Sequence, residues 1–242
     1  MNLIIDVGNT RNKLAVFSEN QLLQKYSCDP GETLDALNLI SRSYPDIQDC
    51  ILASVGSIPE DVSEFLKTHY KVLALSSKTD VPFNNGYGTP DTLGVDRIAL
   101  ASAASMSYPG SNVLVIDAGS CITYDFISEE NKYLGGAISP GIRMRYKALH
   151  TFTANLPLLE PPPAVVEIGS DTSSSIHSGV LQGVLFEIKG FINMYGQKFP
   201  DLTVILTGGD AHFLRDSLKS DIFANSNFLL EGLNFILEYN KH

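Results

Sequence analysis

Asn2-Leu3-Ile4-Ile5-Asp6-Val7-Gly8-Asn9-Thr10 opens the chain, and Val113-Leu114-Val115-Ile116-Asp117-Ala118-Gly119-Ser120 repeats its pattern with the two aspartates 111 positions apart. Each copy is a short apolar run, the mark of a buried strand, ending in Asp, a Gly-containing turn and a hydroxyl residue. The likeness continues downstream, where Phe17-Ser18-Glu19-Asn20 is echoed by Ile127-Ser128-Glu129-Glu130-Asn131. Both copies therefore run strand, Asp-x-Gly turn, strand, polar turn, strand. An offset of nearly half of 242 residues marks a duplicated domain rather than a short-period solenoid. Two related lobes are expected, residues 1–110 and 111–242.

Working outward, strands are expected at 2–6, 13–17 and 21–26, then a helix near 31–43, a strand at 50–55, a helix near 60–69 and a strand at 72–75. The segment 80–94 holds Pro82, Asn84, Asn85, Gly86, Gly88, Pro90 and Gly94, a loop too long and too rich in turn residues to be a simple connector. A helix follows from Asp91 to Ser107, and the second copy opens with the strand at 113–117. Pro161-Pro162-Pro163 reads as an extended connector, with long helices at about 173–196 and 222–240. Alternating strands and helices imply an α/β chain with mixed sheets.

Composition narrows the partners. Apolar residues make up 44% and charged residues 18%, which fits a globular chain and excludes collagen-like or low-complexity material. The net charge of −10 repels nucleic acid and anionic membranes, so neither is an expected partner, and a phosphate ligand must be held by local donors. The apolar runs fall far short of the ~20 residues of a membrane-spanning helix. The N-terminus carries no signal-peptide pattern, and the expected location is the cytoplasm. Cys28, Cys50 and Cys121 match neither a disulfide framework nor a zinc motif, and the five histidines show no metal-binding spacing.

One Asp-x-Gly turn alone is ordinarily structural: Asp bonds its own turn and Gly supplies an unusual dihedral. Two such turns from repeated lobes can face each other, with backbone N–H groups and the hydroxyls of Thr10 and Ser120 donating to phosphate oxygens. Asp6 then suits Mg²⁺, a hard cation that prefers carboxylate oxygen. Arg11 and Lys13 stand where triphosphate charge needs neutralising, although a solvated strand face explains them too. Thr207-Gly208-Gly209-Asp210 follows the apolar strand at 203–206, and its glycines let the backbone approach a flat ligand such as adenosine. Neither a P-loop nor a dinucleotide-binding glycine motif is present, and no Gly-x-Ser-x-Gly elbow supports serine hydrolysis.

In this order the three glycine elements resemble the phosphate and adenosine motifs of the acetate and sugar kinase, heat-shock chaperone and actin superfamily. More narrowly, the chain resembles a type III pantothenate kinase. The matching residues are Asp6 to Lys13, Tyr87-Gly88-Thr89-Pro90-Asp91-Thr92-Leu93-Gly94-Val95-Asp96-Arg97, Gly135-Gly136-Ala137-Ile138-Ser139-Pro140-Gly141, and Thr172 before Ser178-Gly179-Val180. The string from Tyr87 to Arg97 is the specific part.

The resemblance implies duplicated ribonuclease-H-like lobes of the actin-like ATPase type, with a cleft between them. It also implies transfer of the ATP γ-phosphoryl group to pantothenate, the first step of coenzyme A synthesis. Asp96 is carried over as proton acceptor. Asp6, Val7, Gly8, Asn9, Thr10, Arg11, Asn12, Lys13, Ser120, Gly208 and Gly209 are carried over as ATP contacts. Tyr87, Gly94, Val95, Asp96, Arg97 and Thr172 correspond to substrate contacts, with the Arg97 guanidinium a partner for the pantothenate carboxylate. Asp117 matches the holder of a monovalent cation, potassium or ammonium, and family members are homodimers. The chain departs from the family in having Ser120 where Thr is usual and Asp171 where Asn is frequent.

Structural roles stand beside several of these. Asp96 suits a helix start, where acidic side chains favour the dipole, Tyr87 suits loop packing, and Thr172 suits capping of the helix that follows. Two other functions use the same nucleotide motifs: another small-molecule kinase such as a sugar kinase, and a regulatory protein of the Bvg accessory factor type.

Overall fold

The computed structural model describes residues 1–8, 10–54, 56, 58–165, 167–218 and 222–241. It divides into two compact units, Met1–Pro109 together with Asn227–His242, and Gly110–Ser226.

In the first unit β1 (Asn2–Val7), β2 (Asn12–Ser18) and β3 (Gln21–Cys28) form an antiparallel meander. The chain then crosses through α1 (Thr33–Ser43) to β4 (Asp49–Ser54), parallel to β1, and through α2 (Glu60–His69) to β5 (Lys71–Ala74). The strand order is β3-β2-β1-β4-β5. Period-two alternation sends Leu3, Ile5, Leu14 and Val16 to one face, where they bury against Leu37, Ile40, Val62 and Leu66 of α1 and α2. A two-residue extended segment, β6 (Asn84–Asn85), lies within the long loop. The opposite sheet face is covered by α3 (Val95–Ser107) and α7 (Phe228–Tyr239), which pack on β4 and on β1 and β4 respectively.

The second unit repeats the plan. Strands β7 (Val113–Ala118), β8 (Cys121–Ile127) and β9 (Lys132–Pro140) form the meander; β10 (Thr203–Thr207) runs parallel to β7 and β11 (Phe223–Ala224) parallel to β10. Within the unit the order β9-β8-β7-β10-β11 matches that of the first sheet strand for strand. The crossover from β9 to β10 carries α4 (Ile142–Thr151) and α5 (Thr172–Lys198), and α6 (Ala211–Leu218) links β10 to β11. Leu114, Ile116, Tyr124 and Phe126 bury against Val180, Val184 and Ile188 of α5.

Three sequence expectations are corrected. The helix expected over 222–240 is shorter, because 223–224 pair as β11 and the helix starts after Asn227. That helix also leaves the lobe expected at 111–242 and joins the first unit, where it lies along α3. Small residues make this possible: a Cβ on Gly232 would overlap the Ala99 carbonyl oxygen, so only glycine admits the approach. The helix expected from Asp91 begins at Val95, after a 3-10 turn at Pro90–Thr92. No helix among the described residues is long and apolar enough to cross a membrane.

Candidate active site

The β1–β2 register sets Asp6 directly opposite Lys13, on the face that α3 and α7 cover. Lys13 Nζ lies 3.8 Å from Asp6 Oδ2, and the Asp6 side chain is only 16% exposed. Burial raises the Asp6 pKa above the ordinary carboxylate value; Lys13 pulls it down by less, and the nearby Asp96 charge pushes it further up.

The turn after β1 has its own steric logic. A Cβ on Gly8 would come within 2.8 Å of the Arg11 carbonyl oxygen, so the bare glycine lets the turn close. Thr10 is exposed, as a phosphate donor requires, and Val7 is half-buried. Asn9 lies outside the described residues. Arg11 reaches back to the Ser27 carbonyl at 3.4 Å and to Asp29 at 3.8 Å. The Asn12 side chain turns inward and donates to Thr33 Oγ1 at 2.7 Å, while the residue pairs with Val7 in the β1–β2 register.

Asp96 stands in the first turn of α3, where Gly94 is the N-cap residue. Its Oδ1 accepts from the Arg97 backbone N–H at 2.9 Å, and a Cβ on Gly94 would come within 2.5 Å of that same oxygen. Arg97 is buried, and its guanidinium carbon sits 5.5 Å from the centre of the Tyr87 ring, a cation–π contact. The long loop is thereby folded onto α3, further tied by Ser105 Oγ to the Pro82 carbonyl at 3.1 Å. Asp6, Lys13, Asp96, Arg97 and Tyr87 are thus gathered in the first unit, with Val95 half-buried beside Asp96.

In the second unit three turns converge on the end of β7. Gly208 adopts φ +96°, and a Cβ there would collide with Asp117 Oδ1 and the Ala118 carbonyl oxygen. The Asp210 N–H donates to the Ala118 carbonyl at 3.0 Å, fixing the Gly208–Asp210 turn on the first. Gly141, the N-cap of α4, donates its N–H to the Ser120 carbonyl at 3.1 Å, and a Cβ on it would overlap the Gly119 and Ser120 carbonyl oxygens. Gly209 has open space around its α-carbon, and Ser120 is exposed. Asp117 faces Thr123 across the β7–β8 register.

Thr172 is the exposed first residue of α5, and the cap is Asp171, whose carboxylate accepts from the Ser174 N–H at 2.9 Å. That hydrogen bond holds the Asp171 carboxyl below its ordinary pKa. Capping therefore falls to Asp171 rather than Thr172; asparagine caps by the same chemistry, so the departure at this position keeps the helix start. Thr172 also lines a cavity of about 810 Å³ with Arg145, Leu149, Leu156, Ile176 and Val180.

Several contributors were not named as site residues by sequence reasoning. Gly141 supports the second Asp-x-Gly turn, and its Pro140-Gly141 pairing before a helix was the available signal. The wholly buried Asp125 accepts from Thr123 Oγ1 at 2.9 Å and Tyr133 Oη at 2.7 Å, behind Asp117 on the same sheet face. Only the register reveals it.

A sequence model of the type III pantothenate kinase family matches residues 2–194. A type III pantothenate kinase of Christiangramia forsetii is 54% identical over 241 residues, covering 100% of this chain and 99% of that one. Among solved structures, one described as a Baf family transcriptional activator from Campylobacter jejuni superposes with a TM-score of 0.64 at 23% identity, covering 98% of both chains. A glucokinase from an Antarctic psychrotroph gives a TM-score of 0.54 at 12% identity, covering 99% of both chains. These two likenesses establish the fold of the actin-like ATPases and sugar kinases. The family model and the full-length identity establish more: the chain belongs to the type III pantothenate kinase family.

Proposed function

We propose that the protein transfers the γ-phosphoryl group of ATP to the primary hydroxyl of pantothenate, giving 4'-phosphopantothenate, the first step of coenzyme A synthesis, in the cytoplasm. The observation that carries this reading is the Asp6–Lys13 pair lying close enough to Asp96 to feel its charge, with the neighbouring Arg97 against the Tyr87 ring, in a chain whose full length matches the family.

Phosphoryl transfer needs alignment and charge stabilisation more than covalent help from the protein. Asp96 orients the acceptor hydroxyl and takes its proton late in the transfer. Arg97, steadied by the Tyr87 ring, pairs with the pantothenate carboxylate. Lys13 and the backbone N–H groups of the first turn meet phosphate oxygens, and Ser120 and the Gly208-Gly209 backbone are the nucleotide contacts that the second unit offers. Gly94 keeps the Asp96 carboxylate in place, and Thr172 contributes to the substrate pocket.

The donor sets fit the two cations of this reading. Mg²⁺ is commonly bound by one or two carboxylates plus substrate phosphates, and Asp6 supplies such a carboxylate. Held there, the ion would supply positive charge that offsets the charge of the phosphates in transfer. A monovalent cation, potassium or ammonium, would be held by the Asp117 carboxylate at the end of β7, the position that the resemblance gives to that ion.

A homodimer is part of the same reading. On α5, Gly179, Gly183, Phe186, Gly190 and Met194 recur at helical spacing, and Phe186 and Met194 are 65% and 50% exposed, a flat apolar stripe suited to a second copy. The phosphorylation is tested by incubating the protein with ATP, Mg²⁺, K⁺ and pantothenate and weighing the product: a gain of one phosphoryl group on pantothenate is expected, and phosphorylation of a hexose alone refutes the substrate.

A further inference from the structure

The second unit carries a cation that the motif-based reading does not use. Arg143, in the first turn of α4, donates from Nη1 to Asp210 Oδ1 at 3.0 Å. The two residues belong to two of the three turns that converge beside Asp117. Gly141, two residues before Arg143, is hydrogen-bonded to the Ser120 carbonyl, and the Asp210 N–H is bonded to the Ala118 carbonyl. The guanidinium therefore links the start of α4, whose N-cap is bonded to the phosphate turn, to the adenosine turn.

The two ends of this ion pair differ in exposure. The Asp210 side chain is 14% exposed and the Arg143 side chain 69%. Asp210 fixes one edge of the guanidinium fork, and the remaining N–H donors face outward. A planar fork with one edge anchored loses less freedom on binding a second anion than a free surface arginine does. Arg145, the next arginine on α4, is spent elsewhere, bonded to Glu187, Ser139 Oγ and the Pro140 carbonyl. In a chain of net charge −10, an available guanidinium at the nucleotide turns is a specific feature.

We propose that Arg143 is a nucleotide-binding residue, held by Asp210 so that its outward donors grip the polyphosphate of ATP or ADP. The inference rests on the kinase reading above and adds to it a side-chain cation from the second unit.

The test is calorimetric binding of ADP with Mg²⁺ to the wild type, Arg143→Gln and Arg143→Lys, alongside unfolding midpoints and the KM for pantothenate at saturating ATP. Arg143→Gln is expected to weaken ADP binding about tenfold, as loss of one charge-assisted contact at a solvent-facing site does. Arg143→Lys should recover part of that loss, with the unfolding midpoint and pantothenate KM unchanged. Wild-type affinity in Arg143→Gln overturns the inference while leaving the kinase reading intact, and so does a rise in pantothenate KM together with a lowered midpoint. A wild type that binds no nucleotide removes both.

Discussion

Gly94 and Asp96 are sterically coupled: a Cβ on Gly94 would come within 2.5 Å of the Asp96 carboxylate oxygen that accepts from the Arg97 N–H. The backbone at Gly94, φ −59° and ψ 139°, is open to any residue, so the glycine serves the carboxylate and not the chain. Gly94→Ala is accordingly expected to fold with stability within about 0.5 kcal/mol of wild type, since the backbone is unstrained. Its kcat should fall by at least tenfold as Asp96 moves off position. Steady-state kinetics beside an unfolding curve check this, and a fully active Gly94→Ala removes the claim that the glycine sets Asp96.

Replacing the acceptor itself is the sharper case. Asp96→Asn should keep the fold and ATP binding yet lower turnover by roughly 10²–10⁴-fold, the usual contribution of a positioned general base. Single-turnover phosphorylation with saturating substrates reads the chemical step directly. Wild-type turnover discards Asp96 as proton acceptor.

Asp6 makes an acid-side prediction with a definite sign. Its folded pKa is raised, chiefly by burial, so the ionised form costs stability at neutral pH, and that cost declines as the pH falls below the folded value and is gone below the unfolded one. Asp6→Asn should therefore raise the unfolding midpoint at pH 7, with the gap narrowing as the pH falls from the raised folded value towards the ordinary carboxylate value. The half-exposed Lys13 retains its hydration after its partner is gone. The same variant should lose activity, and a lowered midpoint at pH 7 contradicts the burial argument.

The assignment of Asp117 predicts the ion dependence. Asp117→Asn should weaken dependence of the rate on potassium or ammonium. Initial rates in matched potassium and sodium buffers decide it. A wild type that runs equally well in sodium rules out the site.

Much of this was legible because the duplication is written in local pattern. Strands ending in Asp-x-Gly at Asp6 and Asp117 announce themselves by apolar runs and turn chemistry, and the two sheets share strand order because the repeat extends beyond those turns. The destination of α7 was hidden, since its apolar face fits any apolar partner, and the choice of α3 depends on Gly232 meeting Ala99 more than 130 positions away. The Arg143–Asp210 pair and the Asp125 cluster were likewise invisible, being made by residues brought together through register and turn closure. The sequence suggested Thr172 as the cap of the long helix, whereas the Ser174 hydrogen bond gives that role to Asp171.

The most direct measurement is coupled ADP release by the purified protein with ATP, Mg²⁺ and pantothenate, in potassium against sodium and with sugars as alternative acceptors. Release that requires pantothenate and is stimulated by potassium is the predicted result. Release with a sugar and not with pantothenate, or none at all from a protein that binds ATP, would contradict the account.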